Sequence, residues 1–539
     1  MPIDAVIPDL LAALSRDGRA VLQAPPGAGK TTRVPLALLQ SGLVEGRILM
    51  LEPRRLAARA AAERMAETSG EDVGDSIGYR IRGDSRTGPA TRIEVVTEGI
   101  LTRMIQSDPG LDGIGAVIFD EFHERSIHAD LGLALCLEIR AALREDLMLL
   151  VMSATLDAAP VAALMGAAPV ITSEGRTYPV ETRWLDRPWA IPGGRGPRFE
   201  TAAAALVEQA VADTSGGVLV FLPGEGEIAR VAAALKHRLP ADCSLHRLYG
   251  ALDFSAQRAA IRPVTTGRKV VLATAIAETS LTIEDVRTVV DCGLSRRARF
   301  DPSSGMSRLV TERVTRAEAT QRQGRAGRLA PGICYRMWTR GEEGALVPFP
   351  PAGIEIGDLA PLALDCALWG ARDPADLPFL TPPNPGMVAE ARSLLQALGA
   401  LDDEGAITAH GKALAALPLH PRLGHMLLLG GRDAGILAAL IEERDILSLP
   451  GQAQPDDLAL RLAAFRDPKG FEAAHAIRIN RATLARIRDQ AKRLKPPLAA
   501  CLSVGEMAAL AYPDRIGLRR KGDEPRFVLS GGKGAYLDP

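Results

Sequence analysis

The eight residues Ala24-Pro-Pro-Gly-Ala-Gly-Lys-Thr31 constrain this chain more than any other stretch. They follow a short apolar strand, Ala20-Val21-Leu22, and precede a helical run from Thr31 to about Gln40. Strand, glycine-rich loop and helix in that order form a cradle for phosphate, because backbone N–H groups and the helix dipole converge on one point. Gly27 and Gly29, with Ala28 between them, let the loop close around a β-phosphate. Lys30 brings a point charge to the β- and γ-phosphates, the Thr31 hydroxyl is placed to ligate Mg²⁺, and Thr32 completes the nucleotide-binding set.

The surrounding sequence alternates strands and helices. Arg47–Leu51, Ala116–Phe119 and Leu147–Met152 read as buried strands, and Leu56–Glu67 as a helix. That alternation predicts a parallel sheet with its site at the carboxyl edge. Asp120-Glu-Phe-His123 stands at such an edge, directly after Ala116–Phe119. Of the adjacent carboxylates, Asp120 is suited to hold Mg²⁺ through water and Glu121 to orient an attacking water. Ser173–Glu200, which holds Pro179, Pro188, Pro192, Gly193, Gly194 and Pro197, reads as a linker or loop. A second α/β unit follows, with strands at Val218–Leu222 and Lys269–Ala273 and helices at Ala202–Val211 and Glu225–His237.

Beyond Gly344 the strand signals thin out. Ala360–Ala415 alternates helices with an acidic turn at Asp402, Asp403 and Glu404, and Leu417–Leu510 is mostly helical. A Phe-Val-Leu strand within Arg519–Leu537 reads as the start of a small β domain. At roughly 150 residues per domain, a chain of 539 residues has a prior of three or four.

Lys plus Arg (64) nearly equals Asp plus Glu (65), which excludes a histone-like or tail-driven binder but leaves room for local basic strips. One such strip runs from Ser295 to Arg328, where nine Arg face three acids and Phe300–Met306 reads as a hairpin turn. A second holds Arg478, Arg481, Arg486, Arg488, Lys492, Arg493 and Lys495; a plain solvated helix accounts for it equally well. Aromatics are only 4%, so any grip on nucleic acid should come from the backbone and be weakly sequence-specific. The six cysteines form no CxxC pair, which argues against a zinc ribbon and fits a reducing compartment. The histidines at 128, 237, 246, 410, 420, 425 and 475 show no metal spacing, and packing or surface roles are expected for them. With no basic segment at the N-terminus and no apolar run of bilayer length, a cytoplasmic enzyme that spans no membrane is expected.

At this point the chain resembles the bacterial HrpB-type DEAH-box ATP-dependent RNA helicases of superfamily 2. Asp-Glu-Phe-His looks like the DEAH box, helicase motif II, with Phe122 in place of Ala. Pro53-Arg54-Arg55, Thr97-Glu98-Gly99, Ser153-Ala154-Thr155, Thr274–Ser280 and Gln321-Arg-Gln-Gly-Arg-Ala-Gly-Arg328 resemble helicase motifs Ia, Ib, III, V and VI, in order. Gly78-Tyr-Arg-Ile-Arg-Gly83, Asp120–Arg125 and Tyr512-Pro-Asp-Arg515 carry the likeness to the HrpB type across nearly the whole chain. Members of that type are usually longer, so the chain is expected to stop early in its small β domain.

The resemblance implies two tandem RecA-like domains (1–172 and 173–342), a winged-helix-like domain (343–415), a ratchet-like helical bundle (416–510) and the start of a small β domain (511–539). It implies that ATP lies between the RecA-like domains. Gln321 would position water or the γ-phosphate, and Arg325 and Arg328 would act as arginine fingers, elsewhere worth roughly 10³–10⁵ in rate. His123 would bridge motif II to motif VI, and Arg64 would stack on adenine. Ser153 and Thr155 would couple the nucleotide to the nucleic-acid groove, and Arg54, Arg55, Thr97, Glu98 and Thr274 would contact nucleic acid. A strand-separating hairpin is implied near Phe300–Met306, and 3′-to-5′ movement along RNA. Two departures matter: Ala275 stands where Asn is common, which takes away an amide able to make a backbone or inter-domain hydrogen bond, and Leu294 stands where an aromatic would stack on the base, so loose base selectivity is expected.

Four readings stay open on the residues. They are an RNA-dependent helicase, a DNA translocase or repair helicase, a nucleotide-controlled switch, and an RNA-remodelling ATPase without processive unwinding. A switch needs no second domain carrying two fingers, so motif VI speaks against it. A monomer is expected.

Overall fold

The computed structural model describes all residues except 26, 155–157, 175–177, 191–196, 265, 279–282, 284, 302–304, 450–454, 498, 500, 523 and 537–539. The chain divides into two compact units. The first takes in residues 1–301, 305–357 and 377–383, and the second 358–376 and 384–539.

The first unit contains two largely parallel sheets. One is built from β1 (Arg19–Gln23), β2 (Arg47–Glu52), β3 (Ile77–Ile81), β4 (Asp84–Arg86), β5 (Ile93–Thr97), β6 (Ile114–Phe119), β7 (Met148–Ser153) and β8 (Val170–Thr172). Their order in space is β4-β3-β5-β2-β6-β7-β1-β8, and only β4 runs antiparallel to its neighbour. The middle strands β2, β6 and β7 are covered on both faces. Their sequences therefore run apolar without alternation, as in Ile114–Phe119, which is buried throughout. The helices α1 (Ile7–Asp17), α2 (Lys30–Gln40), α3 (Arg55–Ser69), α4 (Glu98–Ser107) and α5 (Ile127–Ala142) belong to this sheet.

The order β2-β6-β7-β1 sets four strand ends side by side. Glu52, Asp120, Ser153 and the loop after Gln23 thus meet at one carboxyl edge, with Leu51 paired to Phe119, Phe119 to Val151 and Gln23 to Ser153.

The second sheet comprises β9 (Val180–Trp184), β10 (Gly217–Phe221), β11 (Cys243–Leu248), β12 (Arg268–Ala273), β13 (Val286–Asp291) and, beyond the hairpin β14 (Leu294–Asp301) and β15 (Met306–Arg313), β16 (Gly332–Arg336). Its order is β11-β12-β10-β13-β16-β9, parallel throughout. The expected linker is corrected here. Within Ser173–Glu200, Val180–Trp184 forms the edge strand β9, paired with Gly332–Arg336. Pro179 precedes the strand and removes no ladder donor from it, so the proline content hid a short alternating strand. Pro192, Gly193 and Gly194 lie outside the described residues.

In the second unit, helices Ala360–Trp369 and Pro385–Ala397 precede a β-bridge between Leu401 and Ile407 that closes the acidic turn. The Asp402 carboxylate accepts the N–H groups of Glu404 and Ala406, which fixes that turn. Among the described residues, six further helices, from Pro421–Leu429 to Val504–Ala511, bury a largely aliphatic core. The strands Gly517–Arg519, Arg526–Leu529 and Gly534–Tyr536 make a small antiparallel sheet. Arg422 ties this end down: it pairs with Asp514 at 2.5 Å and lies over Tyr512.

Candidate nucleotide site

The phosphate loop turns from β1 into α2 with Gly27 and Gly29 at φ +86° and +96°, angles that an L side chain rarely adopts. Lys30, Asp120 and Glu121 are all buried beside it. The Lys30 ammonium donates to Glu121 Oε1 at 3.0 Å and stands 3.8 Å from Asp120 Oδ1. The Thr31 hydroxyl donates to Asp120 Oδ2 at 2.5 Å. A hydroxyl and a carboxylate oxygen this close are a hard-donor pair of the kind Mg²⁺ selects.

The two carboxyls behave oppositely. Burial raises Glu121, but Lys30, His123 and Arg325 together outweigh it and hold the carboxylate below its ordinary range. Burial dominates at Asp120 and pushes it up, despite Lys30. Glu121 also adopts φ +51°, strained for a non-glycine residue, and Arg125 adopts φ +48°. In this conformation the Glu121 carboxylate lies against Lys30, just after β6.

The second sheet supplies the other wall. The helix Arg316–Gly324 carries Gln321, which is buried, and ends at Arg325. Arg325 donates to the Glu278 carbonyl. Its charge and that of Arg328 both act on Glu121. Arg328 Nε lies 3.8 Å from where a β-carbon on Gly27 would stand, so this arginine reaches over the phosphate loop. Arg322 points the other way, donating to Glu278 Oε1 and Asp291 Oδ1 inside its own sheet domain at 2.6 and 2.7 Å. Two adjacent turns of one motif therefore divide between anchoring and reaching.

Three comparisons bear on this arrangement. The DEAD/DEAH box helicase family matches residues 4–164, the helicase conserved C-terminal domain residues 202–330, and the helicase associated domain (HA2), winged-helix, residues 391–419. The ATP-dependent RNA helicase HrpB of Escherichia coli (strain K12) is 45% identical over all of this chain, which spans 64% of that protein. The crystal structure of Escherichia coli DEAH/RHA helicase HrpB superposes with a TM-score of 0.86 at 44% identity, covering all of this chain and 66% of that one. The chain carries DEAD/DEAH-box helicase domains and is similar over its full length to the HrpB helicases. A more distant relative is the pre-mRNA-splicing factor ATP-dependent RNA helicase prp22 of Schizosaccharomyces pombe, 34% identical over 87% of this chain and 41% of its own length. The chain thus spans just under two thirds of the HrpB proteins it matches. Its two sheets are the tandem RecA-like domains of this family, followed by the HA2 winged helix, further helices and a small antiparallel sheet.

The expected site residues take the following places. His123 does not bridge to motif VI: its Nδ1 accepts the Ala154 N–H at 3.4 Å and stands 3.4 Å from Glu121 Oε2, so it links motif II to motif III. Glu98 is not a surface group. It is buried, holds the Ser126 hydroxyl at the start of α5, and therefore cannot reach an exposed phosphate chain. Arg64 is exposed on α3 and bonds Glu67 at 2.7 Å, one turn along the same helix. Thr97 is the N-cap of α4, Arg55 is exposed at the start of α3, and Thr274 is half-buried after β12. Ser153 is buried, while Thr155 lies outside the described residues, as do Thr279 and Ser280 of motif V.

Arg54 has a position that sequence alone did not give. It pairs with Glu124 at 3.0 Å and donates to the Ala275 carbonyl at 2.9 Å, joining the two RecA-like domains. Ala275 therefore makes an inter-domain hydrogen bond through its backbone, where the missing Asn amide raised the question. Leu294 likewise uses its carbonyl, which accepts from Arg322 at 3.2 Å. Glu52 was also missed. It is fully buried at the end of β2, and neither carboxyl oxygen has a hydrogen-bond partner among the described residues. Burial, then Asp120 and Glu121, push it well above the ordinary carboxyl range. An acid closing the apolar run Ile48–Leu51 was the available signal.

The basic strips are also corrected. Arg297 pairs with Glu312 and Glu318, Arg299 with Glu312, Arg296 with Glu227, and Arg313 with Glu342, so much of the first strip is neutralised within the domain. The expected hairpin is present as β14–β15, paired from Leu294 and Arg313 to Asp301 and Met306, but turn residues 302–304 lie outside the described residues. In the second strip Arg481 pairs with Glu472, Arg486 with Glu443 and Lys492 with Asp489. His410 Nε2 and His425 Nδ1 hydrogen-bond at 2.8 Å, and His420 pairs with Asp358; no metal cluster occurs among the described residues.

Glu98 carries a pH prediction. Burial raises its carboxyl from the ordinary 4.5 to about 7. A raised acid contributes stability that is present below 4.5 and lost as pH rises through about 7, because the unfolded chain releases the proton first. Wild-type stability should fall by up to about 3 kcal/mol across that window relative to Glu98→Gln. Urea unfolding of both proteins at the two ends of the window checks this. Parallel pH profiles would remove Glu98 as the cause.

Proposed function

We propose that this chain is the motor portion of an ATP-dependent RNA helicase, hydrolysing ATP to move 3′-to-5′ along RNA and separate strands. The observation that carries the reading is the convergence of two RecA-like domains on one site. Arg325 and Arg328 come from the second domain, while Lys30, Thr31, Asp120 and Glu121 come from the first.

The loop amides of Gly27, Ala28, Gly29 and Thr32's helix turn hold the phosphates, and Lys30 exchanges its ion pair with Glu121 for phosphate oxygens. Thr31 and Asp120 would hold Mg²⁺, which supplies charge neutralisation at the β- and γ-phosphates. Glu121, kept ionised, accepts a hydrogen bond from the attacking water and aims it at the γ-phosphorus. Gln321 steadies that water. Arg325 and Arg328 stabilise charge as the bond from γ-phosphorus to the bridging oxygen breaks. Delivery of both arginines by the second domain makes turnover depend on closure. Ser153, Thr155 and His123 pass that state to the groove lined by Arg54, Arg55, Thr97 and Thr274. Arg64 remains the candidate for the adenine face, with loose base selectivity.

The division proposed is two RecA-like domains at 1–172 and 173–342, a winged helix at 343–415, a helical bundle at 416–510 and the start of a small β domain at 511–539. A monomer acting in the cytoplasm fits this reading. No helix among the described residues is long and apolar enough to cross a membrane.

The test is steady-state ATPase activity alone, with single-stranded RNA, and with single-stranded DNA, at matched salt. Stimulation by RNA and not by DNA is expected, the 2′-hydroxyl being what a protein can sense. Equal stimulation would replace RNA by nucleic acid in general, as a DNA translocase would show. No stimulation would overturn the claim that this chain is a competent motor.

A further inference from the structure

The first residues of the chain lie against the phosphate loop. Ile3 is fully buried among Ala28, Val34 and Leu10 in the core of the first domain. Its backbone N–H donates to the Ala28 carbonyl at 3.3 Å. The Met1 thioether covers Gly29 so closely that a β-carbon there would collide with it. Asp4 accepts from Arg33 Nε at 2.9 Å, one turn into α2. The 3-10 turn Pro2–Ala5 joins these contacts into one short element tied to both ends of the loop's last bend.

The peptide between Ala28 and Gly29 explains what the contacts do. It is trans, so its C=O and N–H point in opposite directions. Ile3 holds the carbonyl to the outer side, and the Gly29 N–H must then face inward, where a phosphate-binding loop presents its amides. Gly29 has no side chain to resist rotation, and its φ of +96° is one of several it could adopt. An outside hydrogen bond on its own peptide removes that freedom before any ligand arrives.

We propose that residues Met1–Asp4 form a strap that presets the Gly29 amide and so raises nucleotide affinity, with Ile3 and Asp4 as positioning residues. The inference rests on the nucleotide reading of the loop. It adds a determinant outside the helicase motifs, one that acts on binding rather than on the chemical step.

The test uses the whole chain and N-methylanthraniloyl-ADP with Mg²⁺ as probe, with ATP KM and kcat measured alongside. Asp4→Lys repels Arg33 without touching the core, because Asp4 is about one-third exposed. The double variant Ile3→Ala/Asp4→Lys releases the strap. Release should weaken probe binding roughly three- to tenfold, the worth of one neutral hydrogen bond. ATP KM should rise in step while kcat at saturating ATP holds, and Asp4→Glu should bind as wild type does. A merely structural role would lower the unfolding midpoint and leave KM unchanged. The strap is overturned if the double variant binds the probe as wild type does. If the double variant does not fold, Asp4→Lys alone decides, and an unchanged KM there overturns the proposal. Failure of the wild type to bind the probe is a separate outcome that sinks the nucleotide reading beneath it.

Discussion

Arg325→Ala is expected to lower RNA-stimulated ATP turnover by roughly 10³-fold or more, with nucleotide affinity little changed. The argument begins from the division of labour within Gln321–Arg328. Arg322 is held by two carboxylates of its own domain and stays there. Arg325 donates to the Glu278 carbonyl of that domain, and it faces the charge of Glu121 across the site. Burial and the nearby Arg328 work against its charge, while Glu121 and Glu278 favour it. An arginine retains its proton under such pressure, so the site holds a desolvated positive charge ready for the charge that develops on the transferred phosphoryl group. Truncation removes that charge after binding has been completed by the loop and Lys30. Turnover should therefore collapse while N-methylanthraniloyl-ADP titration stays close to wild type. A stimulated rate that survives at wild-type level would refute closure of the second domain onto the site.

The site was legible in sequence wherever its chemistry is local. The phosphate loop, Asp120 and Glu121 declare themselves because each lies at the end of an apolar run, and a parallel sheet gathers such ends at one edge. What was not legible depends on partners distant in the chain. The arginines between Ser295 and Arg328 read as a free basic strip because several of their acids, Glu227, Glu278 and Glu342, lie outside it, while Glu312 and Glu318 inside it each serve an arginine on the hairpin. Arg54 looked like a phosphate contact; its bond to Ala275, more than two hundred residues away, has no sequence signature. Strand β9 was hidden for a different reason. Five residues with proline before them give too little periodicity to outweigh a loop-like composition. Glu98 and Glu52 were underrated because burial of an acid is decided by the sheet and its covering helices, not by neighbours in sequence.

Glu121→Gln should slow turnover by roughly 10²–10⁴-fold while binding nucleotide as tightly as wild type or more so. Gln keeps the shape and hence the strained φ of +51° at the end of β6. It removes the negative charge that Lys30 now neutralises at 3.0 Å. Two consequences follow with opposite signs. The attacking water loses an ionised acceptor, which slows chemistry; the phosphates lose a repelling carboxylate and gain undivided access to Lys30, which strengthens binding. Single-turnover hydrolysis and probe titration separate the two effects. Lys30→Ala should instead abolish both, since it deletes the charge that phosphate and Glu121 share. The neighbouring acids make the assignment testable rather than assumed. Burial and the neighbouring acids push the Glu52 carboxyl well above its ordinary range, and Asp120 already accepts from Thr31, so Glu121 is the acceptor the geometry favours. A Glu121→Gln protein that hydrolyses ATP at the wild-type rate would transfer the acceptor role away from Glu121 and require Asp120 to give up its bond to Thr31.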